Sequence, residues 1–350
     1  WIIKYSNFKR KIWDTSTLSS RVISWILNVD IILHNSTFDF RKNFLDCIIS
    51  QTNHLKKNIR FEKDLLKKVE ILTAITLTGL VFKEYEENFN IGVKELQILV
   101  KEFFDSDGFP MSRNPYDLVF ISKYLIFCKE IIRDSQKYIP EFLEDIIRKN
   151  LNCINHIKTP NNQLPLFNGA FILNLNQIEK YLENFKSGNK SSKLGGLYKI
   201  KHKSHFLIID TDSPPKKKFS KSYQSGPLSF EYFLDGIKII TNSGFGTHIS
   251  KKAELLSRLT ACQSTLNIND TSITEFEKNK VINKVFGNSI QNSFRSFDFS
   301  VKNDGNIVGC TASNNGYDKK FGCSHKREVL IDKSKNFLKG TDHIFKAKDG

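Results

Sequence analysis

Methionine occurs once in 350 residues, so the gap-filling role of a soft, unbranched side chain falls to the 29 phenylalanines. No apolar run reaches the roughly 18–20 residues needed to cross a bilayer, which excludes a membrane-spanning helix. The six cysteines (Cys47, Cys128, Cys153, Cys262, Cys310 and Cys323) are widely spaced, with no Cys-x-x-Cys pair. That excludes a dense disulfide framework and leaves ordinary half-buried thiols, with Cys310 and Cys323 a pair that sequence alone neither joins nor separates across a hairpin. No phosphate-cradling glycine loop, Ser-His-Asp order or calcium-loop pattern is present. The chain opens on Trp1-Ile2-Ile3, without initiator methionine, basic leader or small-residue cleavage site, and reads as the interior of a longer protein.

Acidic residues are also in deficit, at 37 against 53 basic ones, for a net charge of +16. Such a surplus favours acidic partners: nucleic acid, anionic membrane or polyanionic glycan. Much of it is lysine scattered among Asn, Ile and Phe, as compositional drift also produces, and the dense cluster Lys216-Lys217-Lys218 follows Pro214-Pro215 in a loop. A nucleic-acid reading has no recognisable reading motif beside that charge. The length predicts two domains, and 39% hydrophobic residues suffice for their cores.

The first half predicts helices. Leu65, Val69, Leu72, Thr76 and Leu80 form an i, i+4, i+7 stripe, with Lys67, Lys68 and Glu70 on other faces. Similar patterns recur over 93–104, 118–132 and 142–157, separated by short breaks at 105–108 and 138–140. Short breaks predict antiparallel helix hairpins. Residues 187–192, Ser-Gly-Asn-Lys-Ser-Ser, are polar and lack apolar side chains, as a linker would. Beyond them the period changes to 2. The runs 228–234 and 237–240 flank Asp235-Gly236, a strong hairpin signal, and 293–301 alternates as a half-buried strand should. Helices followed by strands give an α+β multidomain chain: a helical domain over 1–186, the linker, and an antiparallel β-sandwich over 193–350.

Two segments carry chemistry. Pro115 fixes its own φ and disfavours helix at Asn114, so Arg113 and Asn114 are held on a rigid loop just before Tyr116. His325 and Arg327 alternate on a predicted strand and project to one face. An imidazole and a guanidinium together suit a carboxylate, either of a ligand or of the protein's own Asp or Glu. Asn53-His54 reads as a solvated helix face.

Tyr223-Gln224-Ser225-Gly226-Pro227, the Asp235-Gly236 hairpin, Thr241-Asn242-Ser243-Gly244 and Arg258-Leu259-Thr260-Ala261-Cys262-Gln263 resemble, in order and spacing, the C-terminal β-domain of the heparinase II/III-like proteins. So do Gly316-Tyr317, Gly322-x-x-His325-x-Arg327 and Gly340-x-Asp342 farther on, and, more loosely, Asp107-Gly108, Leu164 to Ala170 and Asp210-x-Asp212. The family comprises polysaccharide lyases and less characterised bacterial relatives. The resemblance implies an incomplete α/α toroid followed by the β-sandwich, both truncated. It implies β-elimination on an acidic, uronate-containing polysaccharide, no nucleic-acid partner, and a place in the cell envelope or periplasm. On the matching positions it implies Tyr116 and His325 as catalytic groups, and Arg113, Asn114, Tyr317 and Arg327 as substrate-binding groups. Gln224, Asn242 and Gln263 stand where the family usually has His, Asp or Asn, and His as zinc ligands, and Ser222 stands at a catalytic His. Neutral amides are poor zinc ligands, so no metal and no cofactor are expected. The alternative is a glycan-binding or envelope structural protein that keeps the scaffold without its chemistry.

Overall fold

The computed structural model describes all residues except 1, 7, 10, 11, 184–191, 280, 282, 284–286 and 348–350. It divides into two compact units: residues 1–103 with 120–148, and residues 104–119 with 149–350. This division does not follow the expected boundary between 1–186 and 193–350. Residues 104–119 and 149–183 group with the strands, because the hydrogen bonds of Arg113 and Asn114 run to residues 195–222. Residues 187–191 of the expected linker lie outside the described residues.

The first unit is helical. It contains α1 (Ile2–Tyr5), α2 (Thr15–Leu27), α3 (Val29–Leu33), α4 (Phe38–Asn58), α5 (Leu65–Val81), α6 (Glu87–Phe103) and parts of α7 (Pro115–Asp134) and α8 (Glu141–Ile157). Asp14, Thr37 and Asp64 cap the first turns of α2, α4 and α5 with side-chain oxygens. The stripe on α5 predicts an amphipathic helix; instead every residue from Ile71 to Gly79 is buried. Its threonines tolerate this because Thr73, Thr76 and Thr78 each donate to the carbonyl four residues back, at 2.7–2.8 Å. Gly79 lets α6 come close: a Cβ there would lie 2.8 Å from the carbonyl carbon of Asn88. Trp13, Leu18, Val22, Phe44, Ile48, Leu55, Ile71 and Ile75 form the core of this unit.

The second unit carries two antiparallel sheets. One has the order β1 (Lys193–Leu194), β2 (Leu197–His202), β3 (His205–Asp210), β4 (Phe230–Leu234), β5 (Ile237–Ile240). The other runs β6 (Ser296–Asp304), β7 (Ile307–Asn314), β8 (Cys323–Asp332), β9 (Phe337–Lys346). Asp235 at φ +50° and Gly236 at φ +77° close the β4–β5 hairpin, pairing Leu234 with Ile237. Ile200, Leu207, Ile209 and Tyr232 from the first sheet share a core with Cys310, Val329 and Ile331 from the second, so the sheets pack face to face. The alternating run at 293–301 does form a strand, but not a half-buried one: β6 is an edge strand with most of its residues exposed. Cys310 and Cys323 are free thiols, because Cys310 pairs with Val329 and Cys323 with Lys346.

Candidate functional site

The segment between α6 and α7 is built by its own side chains. Asp105 Oδ1 accepts from the backbone N–H groups of Asp107 (3.0 Å) and Phe109 (2.8 Å), which turns the chain. Asn114 then caps α7, its Oδ1 accepting from Tyr116 N at 2.9 Å, with Pro115 in the first helical position. Ser112 Oγ donates to Asp117 Oδ2 at 2.6 Å, and Asn114 Nδ2 donates to Asp117 Oδ1 (3.0 Å) and Ser222 Oγ (3.2 Å).

Arg113, at φ +57°, points into the strand-bearing unit. Its Nη2 forms an ion pair with Asp210, Nη1 donates to Ser213 O at 2.7 Å, and Nε donates to Gly195 O at 3.1 Å. Asp210 Oδ2 also accepts from Asn168 Nδ2 at 3.2 Å. Burial works against the Arg113 charge; Asp210 and Asp212 overcome that and leave its pKa above the ordinary arginine value. Gly196, at φ +80°, admits the guanidinium, since a Cβ there would collide with Nη2. Arg113 is 8% exposed and Asn114 2%. Both expected substrate-binding groups are therefore engaged inside the protein.

The β8 residues behave the same way. Arg327 holds Asp342 bidentately, Nε to Oδ1 at 2.7 Å and Nη2 to Oδ2 at 2.9 Å, while its Nη1 donates to Leu228 O (2.9 Å) and Ser264 O (2.6 Å). His325, 1% exposed, lies between Asp342 Oδ1 (Nε2, 2.8 Å) and the Asn314 amide (Nδ1, 3.2 Å). Although burial raises the Asp342 pKa, His325 and Arg327 together hold it well below the usual carboxylate range. Tyr317 is fully buried; its hydroxyl accepts from Ile268 N at 3.1 Å and lies 3.2 Å from Leu266 O. Of the two carboxylates open to this imidazole and guanidinium, the structure supplies the protein's own. Arg113 and Arg327 are nonetheless connected, for Leu228, whose carbonyl Arg327 holds, donates its N–H to Asp210 O at 3.1 Å.

The amide set has its own partners. Gln224 Oε1 accepts from Gly169 N (3.0 Å), and its Nε2 donates to Gly244 O (3.0 Å) and Ser257 O (2.8 Å). Gln263 Nε2 donates to that same Ser257 carbonyl at 2.8 Å. Asn242 Oδ1 accepts from Ser264 N (2.9 Å) and Oγ (3.1 Å), and its buried amide nitrogen, a donor, has no partner among the described residues. These residues do not fit a zinc ion. The carbonyl oxygens of Gln224 and Asn242 face N–H or O–H donors, and none of the three side chains carries the charge that would offset a divalent metal. Among the described residues no group of three or more His, Cys, Asp and Glu side chains is placed to hold a metal.

Tyr116 differs from its neighbours. It is half-buried, in the first turn of α7, with its ring against Phe171 (centroids 4.5 Å). Phe171 in turn receives the exposed His248 edge-on at 4.1 Å. The backbone fixes this meeting: Phe245 N donates to Ala170 O at 2.9 Å, and His248 ends the short 3-10 turn Gly246–His248. A phenol and an imidazole, the two side chains suited to proton transfer, thus flank one ring at the surface. His248 was not legible in the sequence as a site residue, because a lone histidine after Gly244-Phe245-Gly246 has no partner at motif spacing.

Residues 186–350 match the family described as heparinase II/III-like, C-terminal. Among solved structures, the chain is similar to a heparinase III (TM-score 0.75, 16% identity), covering 98% of this chain and 57% of that one. It is also similar to a heparan sulfate lyase from Pedobacter heparinus (TM-score 0.68, 17% identity, covering 99% and 58%). A further heparinase III structure gives a TM-score of 0.69 at 16% identity, covering 97% and 55%. The chain therefore spans less than two thirds of these solved chains, and at such identities the likeness establishes the fold: a helical, toroid-type part followed by the antiparallel β-domain. No curated protein sequence matches it.

Proposed function

We propose that this protein, whose residues 186–350 match the heparinase II/III-like C-terminal family, cleaves acidic, uronate-containing polysaccharide by β-elimination with Tyr116 and His248 as its proton-transfer groups. The observation that carries this reading is the half-buried Tyr116 and the exposed His248 held about Phe171 on a fold shared with a heparinase III. In the reaction one group takes the proton α to the uronate carboxylate. The electron pair forms the ring double bond, the glycosidic C–O bond breaks, and the leaving oxygen is protonated. The net charge of +16 favours accumulation of a polyanion. Residence in the cell envelope or periplasm accompanies this substrate; no described helix is long and apolar enough to cross a membrane.

His325, Arg327, Arg113, Asn114 and Tyr317 leave the catalytic and binding assignment and become its support, because internal partners occupy their polar atoms. That same observation favours a second reading, a protein that binds glycan without cleaving it. Exposure of the full-length protein to a panel of acidic glycans separates the two. Unsaturated uronate product, lowered about 100- to 10,000-fold by Tyr116→Phe and by His248→Ala, is expected of the lyase. Binding with no product from any glycan establishes the second reading instead.

A further inference from the structure

The helical unit has a cleft of about 490 Å³ that the reaction proposed above does not use. Its wall is α4, from which Asp46, Asn53, His54 and Lys57 project at intervals of seven, one and three residues, along one side of the helix. Facing them are Phe8 and Trp13. The three rings are in contact: Trp13 meets His54 edge-on at 5.3 Å, Phe8 lies tilted on His54 at 5.4 Å, and Phe8 meets Trp13 at 6.1 Å.

The two sides of this cleft have different needs. Trp13 is 5% exposed and its indole N–H already donates to Tyr5 O at 3.1 Å, so it is the floor. Phe8 is 62% exposed, leaving an aromatic face open to the cleft. The polar ends of Asp46, Asn53 and Lys57, and both ring nitrogens of His54, make no hydrogen bond or ion pair with any described residue. Burial, then Lys57, lowers the His54 pKa, so at neutral pH its ring offers one donor and one acceptor. A ligand that satisfies this lining has an apolar face, hydroxyl edges and a negative charge at the Lys57 end. Sugar rings have such a face and edge, since their axial C–H bonds gather on one side. The volume falls within the usual range for small-molecule sites, roughly 300–1,000 Å³. Asp46 stands eleven residues from Lys57, about 16 Å along the helix, far enough to accept sugar hydroxyls without repelling the anionic group.

We propose that this cleft binds one or two rings of an acidic saccharide, with a ring face on Phe8 and His54 and a carboxylate or sulfate at Lys57. The site is separate from Tyr116 and rests on the preceding reading only for the class of glycan. Calorimetric titration of the full chain with a hyaluronan tetrasaccharide, a heparan sulfate tetrasaccharide and the carboxyl-reduced hyaluronan form tests it. Phe8→Ala and Lys57→Gln each weaken binding of an acidic tetrasaccharide about tenfold, and they do so equally in a Tyr116→Phe background. The carboxyl-reduced form binds more weakly and is indifferent to Lys57→Gln. Both side chains are exposed, so matched thermal melts show that these variants fold. Failure of both acidic tetrasaccharides to bind, or binding that Phe8→Ala and Lys57→Gln leave unchanged, overturns the site. Absence of unsaturated product from the wild type bears on the lyase reading alone and leaves this titration intact.

Discussion

Two sets of polar residues in the strand-bearing unit invite comparison. The larger set, Arg113, Asn114, Gln224, His325, Arg327 and Tyr317, is buried, and internal hydrogen bonds engage its polar groups. The smaller, Tyr116 and His248 about Phe171, reaches solvent. Residue type does not separate them, for both contain a tyrosine and a histidine. Burial does. A guanidinium that already faces Asp210 and three carbonyls cannot take a substrate carboxylate without breaking the fold's own bonds, whereas a half-buried phenol can act and leave the core intact.

The comparison breaks most visibly at Asp210. Asp210→Ala leaves the Arg113 guanidinium buried without its counter-charge, and removing one member of such a pair typically costs about 3–5 kcal/mol. Urea unfolding is expected to show that loss as a fall in midpoint at unchanged slope. Tyr116→Phe keeps the ring on Phe171 and is expected to cost no more than about 1 kcal/mol while lowering turnover about 100- to 10,000-fold. Equal destabilisation by the two variants would erase the distinction between the two sets.

Much of the fold was legible for definite reasons. The stripe from Leu65 to Leu80 lies on the helix Leu65–Val81, and the hairpin falls on Asp235-Gly236, since one residue pair with positive φ suffices to fix a two-residue turn. The site was legible only as candidates. His325 and Arg327 do share a face of β8, but alternation says nothing of what that face meets, and Asp342 on the neighbouring strand reaches them first. Likewise Asp107-Gly108 and the Ser-Arg-Asn-Pro segment located a rigid loop correctly, while Asp210, the partner that buries Arg113, lies 97 residues away. The burial of β6 was misjudged because alternation describes both half-buried and edge strands.

A smaller effect is expected at Asp342. Asp342→Asn removes the charge that Arg327 and His325 share; with that side chain 38% exposed, solvent screening discounts the loss to about 1–2 kcal/mol. The wild-type contribution should be complete above the ordinary carboxylate range and decline as pH falls below it, because the folded-state pKa is depressed. Thermal melts of wild type and Asp342→Asn should therefore converge toward acid.

The smallest expected effect lies at a buried histidine in neither set. His156, near the end of α8, is 7% exposed with Nε2 3.3 Å from Leu197 O. Burial, and then Lys199, push its pKa down from 6.5 to about 4. The folded protein therefore binds fewer protons at this position than the unfolded chain does between those values. Stability is present above the unfolded value and is lost as pH falls toward the folded one. Between pH of about 6.5 and about 5.5 the expected loss is about 1 kcal/mol. His156→Gln retains a donor for Leu197 O without taking up a proton, so its melting temperature should be flatter across that interval than the wild type's. An equal slope in both proteins would mean that His156 titrates in the folded state as it does in the unfolded one.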